Sequence, residues 1–183
     1  MPLLDNATLL VSGGNYYTGA SGAAAPTDLS VAPGVAWTNF GHTDLEEVIA
    51  FATEGGEATS LGTLQKRTLR TSYTNRVDTL TLNLQQWDED SLKLYFGSNM
   101  APLEVDSDWL TVPDAPEITT QAFLGIITDG TKRFGLYAPN AEFYRGDDIE
   151  MGVDDFAGLP IQIKPLNYLT NTWKLAIFPL TGA

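Results

Sequence analysis

Residues 77–97, VDTLTLNLQQWDEDSLKLYFG, decide the fold class. Leu80, Leu82 and Leu84 fall on one side of a two-residue alternation and Thr79, Thr81, Asn83 and Gln85 on the other, as in a sheet packed on one face and wet on the other. The wet side carries no charge. Asp88 is then placed to cap a helix whose first turn holds Glu89 and Asp90, where the helix dipole favours anions. Leu92, Tyr95 and Phe96 supply an apolar stripe, and Gly97 ends the helix. A strand of this kind running into one short helix predicts a wide antiparallel sheet with a single flanking helix, a scaffold more than a pocket.

Outward from that stretch, residues 119–127 and 133–137 predict a hairpin across Asp129-Gly130, the strongest short-range turn signal in the chain. Residues 65–73 and 77–86 read as a strand pair turning at Thr74-Asn75. The segments 142–144, 148–156, 160–165 and 173–178 read as further short strands, giving eight or nine in all and a sandwich or barrel. Residues 43–52 combine a capping pattern, Thr43 with Glu46, with strand-forming Val48, Ile49 and Phe51, and predict a turn followed by a strand from about Glu47. A polar, glycine-bearing loop, residues 53–64, separates that strand from the next. Residues 101–117, acidic and proline-bearing, connect the helix back to the sheet.

Residues 1–33, rich in Ala, Gly, Ser and Thr, are expected to form an N-terminal arm, with Leu9, Leu10, Val11, Tyr16 and Tyr17 able to dock onto something else. Residues 34–183 then form one β-domain, the size that 183 residues suit.

The net charge of −13 and pI near 4.2 argue against binding nucleic acid through counterion release. There is no cysteine and one histidine, His42, so thiolate chemistry is excluded and triads or His-based metal centres converge on a single residue. His42 sits in a turn beside no serine or cysteine motif. Asp147, Asp148, Glu150, Asp154 and Asp155 form the best candidate carboxylate cluster, but their order matches no calcium-loop pattern. Ser12-Gly13-Gly14-Asn15 opens no phosphate-binding helix. No apolar run of about twenty residues and no signal-peptide pattern is present, which predicts synthesis in the cytosol. Basic residues are absent from the first 65 positions and then cluster as Lys66, Arg67, Arg70 and Arg76. An acidic arm and loop facing this basic segment in a second copy would give a head-to-tail contact between identical subunits, and such contacts generate rings or filaments.

The order Trp37-Thr38-Asn39-Phe40-Gly41-His42-Thr43, a strand near residues 48–52, a loop, Gln65-Lys66-Arg67-Thr68-Leu69-Arg70, and then LTLNLQQWDEDSLKLYFG resembles the major tail (tail tube) protein of long-tailed, non-contractile bacteriophages. The similarity continues through residues 122–126, 134–139 and 159–163. The resemblance implies a β-sandwich or barrel with one helix, a non-enzymatic virion protein made in the host cytoplasm, and hexameric rings stacked into a tube through which the genome is ejected. It implies no cofactor and no metal. Tape measure, tail terminator and distal tail proteins would be its partners besides itself, and DNA would pass without specific binding. Thr79, Thr81, Asn83 and Gln85 are then the candidate lumen row. Glu54, Gly55, Gly56, Glu57, Ser60, Lys66, Arg67, Arg70, Tyr16 and Tyr17 are the candidate contacts between subunits and rings. No immunoglobulin-like extension is expected after the last strand. A tail terminator or connector ring would share the fold, and a carbohydrate-binding sandwich using Trp87, Trp109 and Trp173 as stacking platforms is the alternative from another class.

Overall fold

The computed structural model describes residues 7–105 and 107–181. In chain order the elements are β1 (Gly13–Gly19), β2 (Trp37–Asn39), β3 (Ala50–Glu54), β4 (Ala58–Leu61), β5 (Arg70–Tyr73), β6 (Val77–Leu84), α1 (Glu89–Phe96), β7 (Ala101–Pro102), β8 (Leu110–Thr111), β9 (Thr119–Asp129), β10 (Lys132–Arg145), β11 (Leu159–Pro165) and β12 (Ala176–Thr181). Among the described residues the protein is mainly β with one helix, as the alternation of residues 77–84 predicts. One antiparallel sheet runs β2-β1-β9-β10-β11-β6-β3, with β12 on β10. Two small hairpins, β4–β5 and β7–β8, stand outside it.

The long β9–β10 hairpin turns at Gly130, whose φ of +58° suits glycine, and it organises everything else. Between Ala138 and Ala141 the register of β10 on β9 slips. A bulge of this kind bends a strand, and here it divides β10 into a first half paired with β12 and a second half paired with β11. The sheet therefore curls on itself. Tyr16 and Phe123 from the β1–β9 side meet Leu80, Leu82, Leu84, Phe143, Ile161 and Ile163 from the other in a single core, which Leu94 and Tyr95 of α1 help close. Leu80, Leu82 and Leu84 are at most 1% exposed, which fixes the register of β6, because a one-residue slip would put all three leucines in water.

The helix starts and stops as its sequence dictates. The Asp88 carboxylate accepts the Ser91 amide at 2.9 Å, and the Gly97 amide donates to the Lys93 carbonyl at 3.0 Å. Ser91, Leu94 and Tyr95 are its buried residues; Leu92 and Phe96 pack only in part.

Four local expectations are corrected. Residues 13–19 do not belong to an arm: β1 is an interior strand between β2 and β9 with a seven-residue register on β9, because Tyr16 and Tyr17 bury on opposite faces of it. Residues 65–73 do not pair with β6. Only Arg70–Tyr73 is strand, and its partner is β4, so the polar stretch 53–64 is half of a hairpin, not a loop. Residues 148–156 form no strand, since their acids and glycines offer no alternating apolar row. Residues 142–144 are the second half of β10.

Candidate assembly surfaces

Beyond its pairing with the sheet, the β3–β6 ladder continues outward as a ribbon. Glu54 pairs with Val77 at its base. Gly55 and Gly56, with φ of +77° and +75°, then turn the strand in a conformation that L side chains rarely adopt, and a Cβ on Gly55 would overlap the Asn75 carbonyl. Glu57 and Thr74 bridge the turn through Thr74 N–H to the Glu57 carbonyl at 3.1 Å and Glu57 N–H to Thr74 Oγ1 at 3.0 Å. Pairing resumes from Ala58 with Tyr73 to Leu61 with Arg70, and the tip closes by exchanged bonds between Thr63 and Lys66.

Every residue from 50 to 77 is exposed. Leu64 is 96% exposed and Tyr73 70%. Two strands alone are marginal in water, and among the described residues this ribbon pairs with no third strand. Its root is braced. Asp78 accepts from Thr53 Oγ1 at 2.7 Å and from Arg76 Nε at 2.9 Å; burial acts to raise its pKa, but these bonds outweigh it and hold the carboxyl below its ordinary value. At the tip, Lys66, Arg67 and Arg70 make no ion pair among the described residues.

Of the sequence-predicted contact residues, Glu54, Gly55, Gly56, Glu57, Ser60, Lys66, Arg67 and Arg70 thus lie together on one projection. Tyr16 does not join them. It is 2% exposed, stacks on Phe123, and donates its hydroxyl to the Val48 carbonyl, so it is a core residue of its own subunit. Tyr17 packs in part against Leu29, Leu124 and Ile126 on the opposite face of β9.

The predicted row on β6 divides. Thr79 and Thr81 lie on the outward side of the sheet, beside Ala52 and Ala50 of β3 and, through Gln162, Tyr144 of β10. The charges on this side include Lys164 and Glu142, which face each other at 3.7 Å and cancel. Asn83 is covered instead: Gly158 lies against its amide so closely that a Cβ there would overlap it, and its Oδ1 is buried without a hydrogen-bond partner among the described residues. Gln85 has left the strand, its backbone amide on the His42 carbonyl at 2.8 Å and its side chain on Asp44 at 3.0 Å.

Around Asn83 a groove of about 600 Å³ is lined by Asp44, Glu47, Asp147, Asp148, Glu150 and Asp155, with no Lys or Arg among its described lining residues. Among the described residues no group of three or more acids or histidines is arranged to hold a metal ion. Sequence reasoning singled out these acids but missed what borders them: Met151, Val153 and Phe156 are 70%, 100% and 81% exposed. The signal was available, since large apolar residues in an acidic segment without strand periodicity have no core to enter. The same holds for Leu103, Val105 and Trp109 around the β7–β8 hairpin. The three candidate stacking tryptophans lie apart in the fold: Trp87 donates to the Ala157 carbonyl at 2.9 Å, Trp173 leans on Tyr137, and Trp109 stands on the hairpin.

This architecture has relatives. A family model described as phage tail tube protein matches residues 1–176. The major tail protein Gp23 of Mycobacterium phage L5 is 35% identical over 176 residues, covering 90% of this chain and 87% of that protein. Major tail protein Gp23 of Mycobacterium phage D29 is 33% identical over 181 residues, again covering 90% and 87%. The chain belongs to the phage tail tube protein family and is a structural component of the virion tail.

Proposed function

We propose that copies of this chain close into hexameric rings that stack into a tube, and that the tube is the conduit for genome ejection. The observation that carries this reading is the unbroken exposure of residues 50–77 in a strand-paired ribbon, which has no use within one subunit and every use between subunits. Residues Glu54, Gly55, Gly56, Glu57, Ser60, Lys66, Arg67 and Arg70 make contacts between subunits and rings. Thr79 and Thr81, with the self-neutralising Glu142–Lys164 pair on the same side of the sheet, line the lumen. A wall of neutral groups on a subunit of net charge −13 gives phosphate nothing to adhere to, so DNA slides. The protein has no enzymatic role. Tape measure, tail terminator and distal tail proteins are its partners at the ends and inside of the tube.

Negative-stain electron microscopy of the purified chain over a concentration series tests this. Hollow tubes with a regular axial repeat are expected. Isolated closed rings at every concentration would replace the tube with a terminator-like ring, and monomers that stay single even with tail-tip extract added would remove the conduit reading.

A further inference from the structure

The ribbon tip has a complementary surface on the same molecule that it does not touch. Lys66, Arg67 and Arg70 sit within nine residues of Gly62, flanked by Leu64 and Leu69, which are 96% and 59% exposed. Most other cations are already engaged: Arg76 on Asp78, Lys93 on Glu89, Lys164 on Glu142, Arg145 over the Tyr95 ring and Arg133 on the Gly130 and Lys132 carbonyls. The groove beneath residues 147–158 presents the converse set, six carboxylates with no Lys or Arg among its described lining residues, bordered by exposed Met151, Val153 and Phe156. None of its lining residues comes from the ribbon.

We infer that the tip of one copy, residues 62–70, docks into the acidic groove of a second copy, with Lys66, Arg67 and Arg70 facing Asp148, Glu150 and Asp155 and the tip leucines covering Phe156 and Val153. This deepens the assembly reading and rests on it. At roughly 3.3 Å per strand residue, the ribbon from Glu54 to Leu61 spans about 25 Å, enough to cross to a neighbouring subunit. Because tip and groove are different patches, the contact is heterologous, and each copy offers one of each, so it propagates without limit when the rotation does not close. Charge complementarity sets the register of the contact and the apolar rim excludes water around it.

The chain has no cysteine, so a pair can be placed cleanly in the full-length protein. With Thr68→Cys and Gly152→Cys in one chain, positions beside the charged contacts that leave every one of them in place, a short bifunctional maleimide is expected to yield a denaturant-resistant ladder extending past dimer, whereas each single variant stops at dimer. Charge reversal gives the second arm. Lys66→Glu with Arg70→Glu should raise the concentration needed for assembly at least tenfold, and adding Asp148→Lys with Glu150→Lys should return it to within about threefold of the starting chain. Circular dichroism verifies that each variant is folded, and the cysteine arm does not depend on the reversal variants. A ladder without tubes in the microscope would keep the docking and remove the tube; tubes without a ladder would remove the docking and keep the tube; neither ladder nor tubes would remove both.

Discussion

The Tyr16 hydroxyl donates to the carbonyl of Val48, tying an interior strand of the sheet to the segment that leads into the projecting ribbon. The ring itself stacks on Phe123 with 6.3 Å between centroids. The core thus adds a tie to the root of the ribbon, beside the Glu54–Val77 pairing and the Asp78 bonds.

Tyr16→Phe keeps the ring and removes that bond, leaving a part-buried carbonyl without its donor, which should cost about 1–2 kcal/mol in urea unfolding. Tyr16→Ala also empties the core position and should cost about 3–5 kcal/mol. Burial pushes the Tyr16 hydroxyl pKa upward. Because the folded pKa is raised, the stabilisation is fully present below about pH 10 and is lost as the pH climbs above it. The phenylalanine variant should show a flatter alkaline limb in a stability–pH profile, and an unchanged limb would count against this role.

Asp88 reports at the other end of the pH scale. Burial tends to raise its pKa, yet the Ser91 amide and hydroxyl and the Gln86 amide outweigh it and hold the carboxyl below its ordinary value. A depressed folded pKa means stability that is present at neutral pH and lost as the pH falls below about 4. Asp88→Ala should cost about 1 kcal/mol at pH 7, whereas Asp88→Asn retains most of the cap and should weaken the acid dependence. Thermal melts of the three proteins from pH 3 to pH 7 measure both effects.

Glu54 and Val77 face each other across the base of the ribbon, so an Asn-Gly turn can join them and excise residues 55–76. Since the excised residues are exposed throughout, the subunit should keep its circular dichroism spectrum and melt within a few degrees of the parent. Long tubes should be absent at concentrations where the parent assembles. Normal tubes from this variant would remove the ribbon from the mechanism.

Thr79→Lys with Thr81→Lys places two cations on the outward side of β6 without touching Leu80 or Leu82. Stability should change by less than about 0.5 kcal/mol and tubes should still form. Virions built from this subunit should release DNA more slowly, with the defect relieved by added salt, because counterions compete for phosphate. Release kinetics equal to the parent at low salt would place this side of the sheet away from the DNA path.

Local patterns carried the parts of this fold that local physics controls. The leucine alternation of β6, the Asp88 cap, the Gly97 stop and the turn at Gly130 each involve residues within a few positions of one another, and each stands where the sequence predicts. The N-terminal strand was not legible, because the Gly and Asn residues of GGNYYTG counter the strand preference of Tyr16, Tyr17 and Thr18, and the segment is held by seven partners from β9 more than a hundred residues away. The ribbon was half legible. Its glycines and polar residues mark a break, but which segments pair across it depends on the positive-φ turn at Gly55 and Gly56.

The sequence alone thus settled the antiparallel, mainly β character and the one helix of the described residues, since these follow from interactions short in sequence, and it fixed the net acidity and the lack of cysteine as matters of composition. Only the tertiary structure decided that Tyr16 belongs to the core, that Asn83 and Gln85 are taken out of the open row with Thr79 and Thr81, and that basic tip and acidic groove form separate surfaces of one subunit. Those outcomes rest on contacts between segments far apart in sequence, Tyr16 on Phe123 and Val48, Gly158 on Asn83 and Gln85 on Asp44, which no local pattern encodes.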